Sequence, residues 1–105
     1  MSEPLLAAAE AGDLPRVREL LAAGADRDAR NADGATALML AAHAGRLDVV
    51  RALIDTGADV NATDERGWGP LAKAVYNPDV DRGFADVVQA LVKAGANVEA
   101  PIGYG

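Results

Sequence analysis

Apolar residues in this chain recur at helical spacing, in long and short stretches that alternate. Leu14, Val17, Leu20 and Leu21 lie on one side of a helix, and Leu47, Val50, Leu53 and Ile54 repeat the arrangement. Ahead of each such stretch is a shorter, alanine-rich one. First helices are expected there, over roughly Pro4 to Ala11, Ala37 to Ala44 and Pro70 to Tyr76. Thr36 can cap the helix that follows it, while Pro4 and Pro70 sit where a first helical residue tolerates a missing amide hydrogen. Gly12 and Gly45 are placed to end the first helices, and Gly24, Gly57 and Gly95 to end the second ones. The polar residues that then run to Gly34 or Gly67 are expected to form an extended turn leading back to the next pair.

The pattern has a period. Gly24-Ala25-Asp26 returns 33 residues later as Gly57-Ala58-Asp59, and once more as Gly95-Ala96-Asn97. Around these triplets "LPRVRELLAAGADRDA", "LDVVRALIDTGADVNA" and "ADVVQALVKAGANVEA" align residue for residue. Leu5, Leu38 and Leu71 keep the same register, as do Gly12 with Gly45 and Gly34 with Gly67. A helix pair of this size cannot cover its own apolar face, so neighbouring copies must stack and share one core. The expectation is a single domain over 1–105, with copies at approximately 1–30, 31–63 and 64–101 and the start of a possible further copy at 102–105. Gly57 to Gly95 spans 38 residues, five beyond the period. The extra residues fall within "NPDVDRG", and Asn77 to Arg82 is expected to be an exposed loop.

Composition narrows the class. Half of the residues are apolar but only 4% are aromatic, so the core has to be built from Ala, Leu and Val. Such a core favours closely packed helices and an all-α fold. There is no cysteine, which excludes disulfides and thiolate metal sites. The first residues lack a basic leading segment and are interrupted by Glu10 and Asp13, unlike a secretory signal. No 18-residue apolar stretch occurs, so no membrane partner is expected and a cytoplasmic protein is. A net charge of -6, with ten basic residues scattered among sixteen acids, argues against nucleic acid as a partner.

The stretch "DGATALMLAAHAGRLDVVRALIDTGADVNA" (Asp33 to Ala62) resembles a repeat of the ankyrin family, as do "LLAAAEAGDLPRVRELLAAGAD" and "GPLAKAV…DVVQALVKAGANVEA" on either side. The resemblance covers nearly the whole chain. It implies a solenoid of helix-turn-helix units joined by hairpin-like turns, whose first helices line a concave face that binds partner proteins. The family's T-P-L-H reads Thr36-Ala37-Leu38-Met39 in the second copy and Gly69-Pro70-Leu71-Ala72 in the third. Neither copy has the usual histidine, which takes part in the side-chain bonding that stiffens the family's hairpins. Lys73 stands at the position of Leu40, normally apolar, and Arg16 at that of Val49. A lysine there can reach the edge of the core or pair with an acid.

The expected binding residues follow from the same alignment. Trp68, the only tryptophan, falls with Ala35 just after the hairpin glycine, at a groove-facing position in the family. It reads either as an aromatic anchor for a partner or as a ring that packs back and stiffens its hairpin. Glu10, His43 and Tyr76 form a row near the ends of the first helices. Asp33, Arg66 and Tyr104 form another at the hairpin tips, and Arg30, Thr63, Glu65 and Asn77 fill between. No catalytic role is expected: His43 is the only histidine and Ser2 the only serine. Asp79 and Asp81 lack the glycine and terminal Glu of a calcium loop, so no metal and no cofactor are expected. The leading function is therefore a non-enzymatic module that binds an unidentified protein partner. The alternative is self-association through the third copy, whose Val87, Val88, Ala90, Leu91 and Val92 resemble the internal Val49, Val50, Ala52, Leu53 and Ile54 with no polar outer face to end the stack.

Overall fold

A computed structural model describes residues 3–75 and 85–96. Six helices occur among them, in three pairs: α1 (Glu3–Ala11) with α2 (Leu14–Ala22), α3 (Ala37–His43) with α4 (Leu47–Asp55), and α5 (Pro70–Val75) with α6 (Ala85–Lys93). No strand occurs among the described residues, which carry one isolated bridge between Arg30 and Thr36. Tyr76, Asn77, Asp79, Asp81 and Tyr104 lie outside the described residues, as do the expected loop at 77–82 and the start of a further copy.

Several helix ends have a visible local cause. Thr36 Oγ1 accepts the Met39 amide at 3.3 Å, the capping bond the sequence predicts, and Asp13 Oδ1 accepts the Arg16 amide at 3.2 Å at the start of α2. Pro70 is the first residue of α5. Ala44, expected as the last residue of its helix, is instead the C-cap of α3. All three second helices end in one bond: the amides of Ala25, Ala58 and Ala96 donate to the carbonyls of Leu20, Leu53 and Leu91 at 3.0, 3.0 and 2.9 Å. Gly57 makes that closure possible in the central copy, because its φ of 92° is strained for any residue with a Cβ.

First helices pack on first helices and second on second, giving two layers with one shared core. The core comprises Leu5, Ala9, Val17, Leu38, Ala41, Ala42, Val49, Val50, Leu53, Ala74, Val87 and Leu91, all buried. Full burial of one leucine side chain here stabilises by about 1.5–3 kcal/mol.

Equivalent positions differ in exposure, and the differences give the stack a direction. Val49 and Val87 are buried, but their counterpart Arg16 is exposed; Leu53 and Leu91 are buried, but Leu20 only half so. The sequence alone places all three leucines in equal burial. In the second and third copies these positions face the preceding copy, whereas Arg16 in the first is exposed and pairs with Glu19 on the surface. The opposite positions behave in the opposite way. Ala9 and Ala42 are fully buried while Val75 is 53% exposed, and Val92 is 43% exposed where Ile54 is half-buried. Val87 and Leu91, grouped by sequence with the unfinished end, therefore pack inward against α4, and the open face is carried by Val75, Val92 and the half-buried Leu71 and Val88.

Candidate partner-binding surface

Two hairpins lead into the first helices. Asn31 opens the first and Asp64 the second, and both close identically: the Asn31 amide donates to Ala35 O at 3.0 Å and the Asp64 amide to Trp68 O at 2.9 Å. Within each turn one side-chain oxygen accepts two amides. Asn31 Oδ1 accepts those of Asp33 and Ala35 at 2.9 and 3.0 Å, and Asp64 Oδ1 those of Arg66 and Trp68, both at 2.9 Å. Short polar side chains that bond their own following backbone are the usual builders of such turns. The stiffening lost with the family histidine is thus supplied from the first residue of each turn.

The hairpins touch one another. The Glu65 amide donates to Asp33 O at 3.2 Å, and a Cβ on Gly34 would stand 3.0 Å from Glu65 N, so only glycine permits this approach at a φ of 80°. Arg30 spans the same junction: its Nη1 donates to Gly34 O at 2.8 Å and to Thr63 O at 2.6 Å. The tips therefore bring Arg30, Asp33, Thr63, Glu65 and Arg66 into one exposed edge, with Trp68 half-buried beside it. Trp68 lies between the two sequence readings in its burial. Full burial would make it a core ring; the residue is instead of intermediate exposure.

Glu10 and His43 are exposed at the far ends of α1 and α3. His43 is the last of the seven residues of α3, about 9 Å from its start at 1.5 Å per residue, so this group lies apart from the tips. Arg46 stitches it across copies, its Nε donating to Glu10 O at 3.1 Å. No cluster of metal-binding side chains occurs among the described residues, and no helix there is long and apolar enough to cross a membrane.

One pair escaped the sequence reading in its particulars. Lys73 Nζ lies 2.9 Å from Asp64 Oδ2, joining α5 to the turn that bears Trp68. The Asp64 side chain is only 4% exposed and that of Lys73 26%. Burial pushes the Asp64 carboxyl up, but the Lys73 hydrogen bond, the Trp68 and Arg66 amides and the lysine charge together outweigh it and hold the group below its ordinary value of 3.8. The signal was present in the aligned copies. Where the second copy has Asn31 and Leu40, the third has Asp64 and Lys73, so both partners of the ion pair change together.

No curated protein matches the chain at a significant level. A family profile for ankyrin repeats in three copies matches residues 5–102, nearly the whole chain. Repeats of this kind are generally modules of protein–protein interaction, and the family is typically non-enzymatic. With that match, the helix pairs, their period and the laced hairpins, the chain belongs to the ankyrin repeat family.

Proposed function

We propose that this chain is a non-enzymatic, cytoplasmic module that holds a partner protein on the concave face formed by its hairpin tips and first helices. The observation that carries the reading is the edge at the tips. Asp33, Glu65 and Arg66 are exposed on backbone tied in place by turn and inter-copy hydrogen bonds, and a half-buried Trp68 stands next to them. Ordered backbone lowers the entropy lost on docking, and a partly open indole is the side chain most often central to an interface. Tyr76, Asn77, Tyr104, Glu10 and His43 extend the proposed surface. Nucleic acid and membrane are not among the proposed partners, given the charge of -6. Capture from the source organism's lysate, run in parallel with wild type and Trp68→Ala, tests the reading. Proteins retained by the first and lost by the second support it; equal retention by both sinks it.

A second reading is favoured by the exposure of Val75 and Val92, whose counterparts Ala42 and Ile54 are covered by the next copy. In it, two chains meet through their third copies. Light scattering across a concentration series decides: a dimer dispersed by Val92→Asp supports self-association, and a monomer at every concentration removes it.

A further inference from the structure

The two hairpins are held by different side chains. In the first, Arg30 reaches Gly34 O within the turn and Thr63 O in the next copy, while Thr36 caps the following helix. The third copy has Thr63 where Arg30 stands and Gly69 where Thr36 stands, so the arginine tie and the hydroxyl cap are both lost from the turn that carries Trp68. The same copy gains the Lys73–Asp64 pair. Asp64 is the hub of that turn: Oδ1 holds the amides of Arg66 and Trp68, its own amide reaches Trp68 O, and Oδ2 is held by Lys73 from α5.

We propose that Lys73 is a positioning residue for Trp68. By taking Asp64 Oδ2 it holds the second hairpin against its own helix in place of the arginine that holds the first, and so presents the indole to a partner protein in one pose. The inference rests on reading Trp68 as an interface residue. A buried carboxylate with an ammonium partner need not add stability over an apolar pair of similar size, so an ion pair here is better explained by fixing geometry than by strengthening the fold. The second copy has the uncharged Asn31 and Leu40 in these places, but it uses Arg30 as well.

Because Trp68 is the only tryptophan, the free protein reports on its own hairpin, and no partner is needed. The measurements are acrylamide quenching of Trp68 emission and hydrogen exchange of the Arg66 and Trp68 amides, referenced to the Leu53 amide in the central core. Lys73→Met is expected to raise quenching and to speed exchange at Arg66 and Trp68 on the order of tenfold beyond any change at Leu53, the factor that matches one lost hydrogen bond to a charged group. The double variant Asp64→Asn/Lys73→Leu separates positioning from stability, since it carries the second copy's residues without its arginine. It is expected to unfold near the wild-type midpoint and yet leave Trp68 as open as Lys73→Met does. Adding to the double variant Thr63→Arg, whose guanidinium can reach Gly67 O as that of Arg30 reaches Gly34 O, is expected to return part of the protection. A double variant as protected as wild type, or a triple variant no better protected than the double, overturns the proposal. If Lys73→Met does not fold, the double and triple variants carry the test. Failure here leaves Trp68 free to be an interface residue, which the lysate comparison decides separately.

Discussion

The hairpin that opens at Asn31 and the one that opens at Asp64 close with the same backbone bonds, but their side-chain ties run in different directions. Arg30 ties the first to the following copy, through Thr63 O. Lys73 ties the second to α5, the helix of its own copy. The repeat therefore constrains the turn's first residue, which must offer an oxygen to two amides, and leaves the outer fastening to vary. One fastening is shared between copies and neutralises no charge; the other is internal and buries a carboxylate. The consequence is that the two hairpins share the bonds that join them, from Arg30 to Thr63 O and from the Glu65 amide to Asp33 O, and the second adds an ion pair to its own helix.

The sharpest way to break this contrast is to remove the ammonium. Lys73→Met leaves the Asp64 carboxylate buried and without its ammonium, and about 3 kcal/mol of stability is expected to be lost, the lower end for a broken buried pair because Lys73 keeps some exposure. Leu40→Met, at the equivalent position of the second copy, is expected to cost less than about 1 kcal/mol, since it swaps one apolar side chain for another of similar volume. Urea denaturation of the two variants measures the difference. Equal losses would show that the ion pair is not what distinguishes the copies.

A smaller effect is expected at the first hairpin. Thr36 is buried to 2% exposure, and Thr36→Ala removes the hydroxyl that satisfies the Met39 amide, at a cost of about 1–2 kcal/mol. The same measurement applies. A loss of the same size as that of Lys73→Met would place both hairpins on an equal footing.

Much of this architecture is legible in the sequence, and the part that is not has a physical explanation. Helix pairs, caps and the glycines that end helices are local, so the period and the spacing of Leu47, Val50, Leu53 and Ile54 suffice to place them. Burial across copies is not local. Helical spacing marks Leu91 and Val92 as apolar but does not say that the first is buried and the second exposed, nor that Leu20 is half-buried where Leu53 is buried. The pairing of Lys73 with Asp64 spans nine residues across a turn, which matches neither the helix nor the strand period. It becomes visible only when Asn31 and Leu40 are set beside them. For the site, the alignment puts Asp33 and Arg66 at the tips, Arg30 and Glu65 between the rows and Trp68 toward the groove, but it gives no sign that the Arg30 guanidinium is engaged by two carbonyls.

Acid sharpens the comparison through the Asp64 carboxyl of the second hairpin. The Asp64 carboxyl titrates below 3.8 in the folded chain and near its ordinary value when unfolded, so the unfolded state binds the extra proton first. The stability it contributes is therefore complete above the unfolded value and is lost as pH falls through the folded one. From about pH 5 downward, wild type is expected to lose stability more steeply than Asp64→Asn/Lys73→Leu, which has no carboxyl at this site. Urea midpoints for both proteins between neutral pH and the acid limit check it. Parallel curves would mean that Asp64 is not selectively stabilised by its partners.

The smallest expected effect tests whether the second hairpin can accept the first one's device. Gly69 occupies the place of Thr36, and Gly69→Thr would offer its hydroxyl to an amide in the first turn of α5 while restricting the unfolded chain; each change stabilises. Against them stands one contact. A Cβ on Gly69 would lie 3.1 Å from Ala62 O, closer than is comfortable, so the facing backbone must give by a few tenths of an ångström. Gly69 has no left-handed backbone to lose, and Thr36 sits buried in the equivalent turn with its cap bond formed, so the turn tolerates a branched side chain there. The net is expected to be a gain below about 1 kcal/mol, read as a rise in the urea midpoint at unchanged slope. A loss would mean that the Lys73–Asp64 pair draws the third copy's turn too close to Ala62 to admit the cap. Combining Gly69→Thr with Asp64→Asn/Lys73→Leu should then convert the loss into a gain, because the turn would be released from α5 and free to adopt the spacing of the second copy.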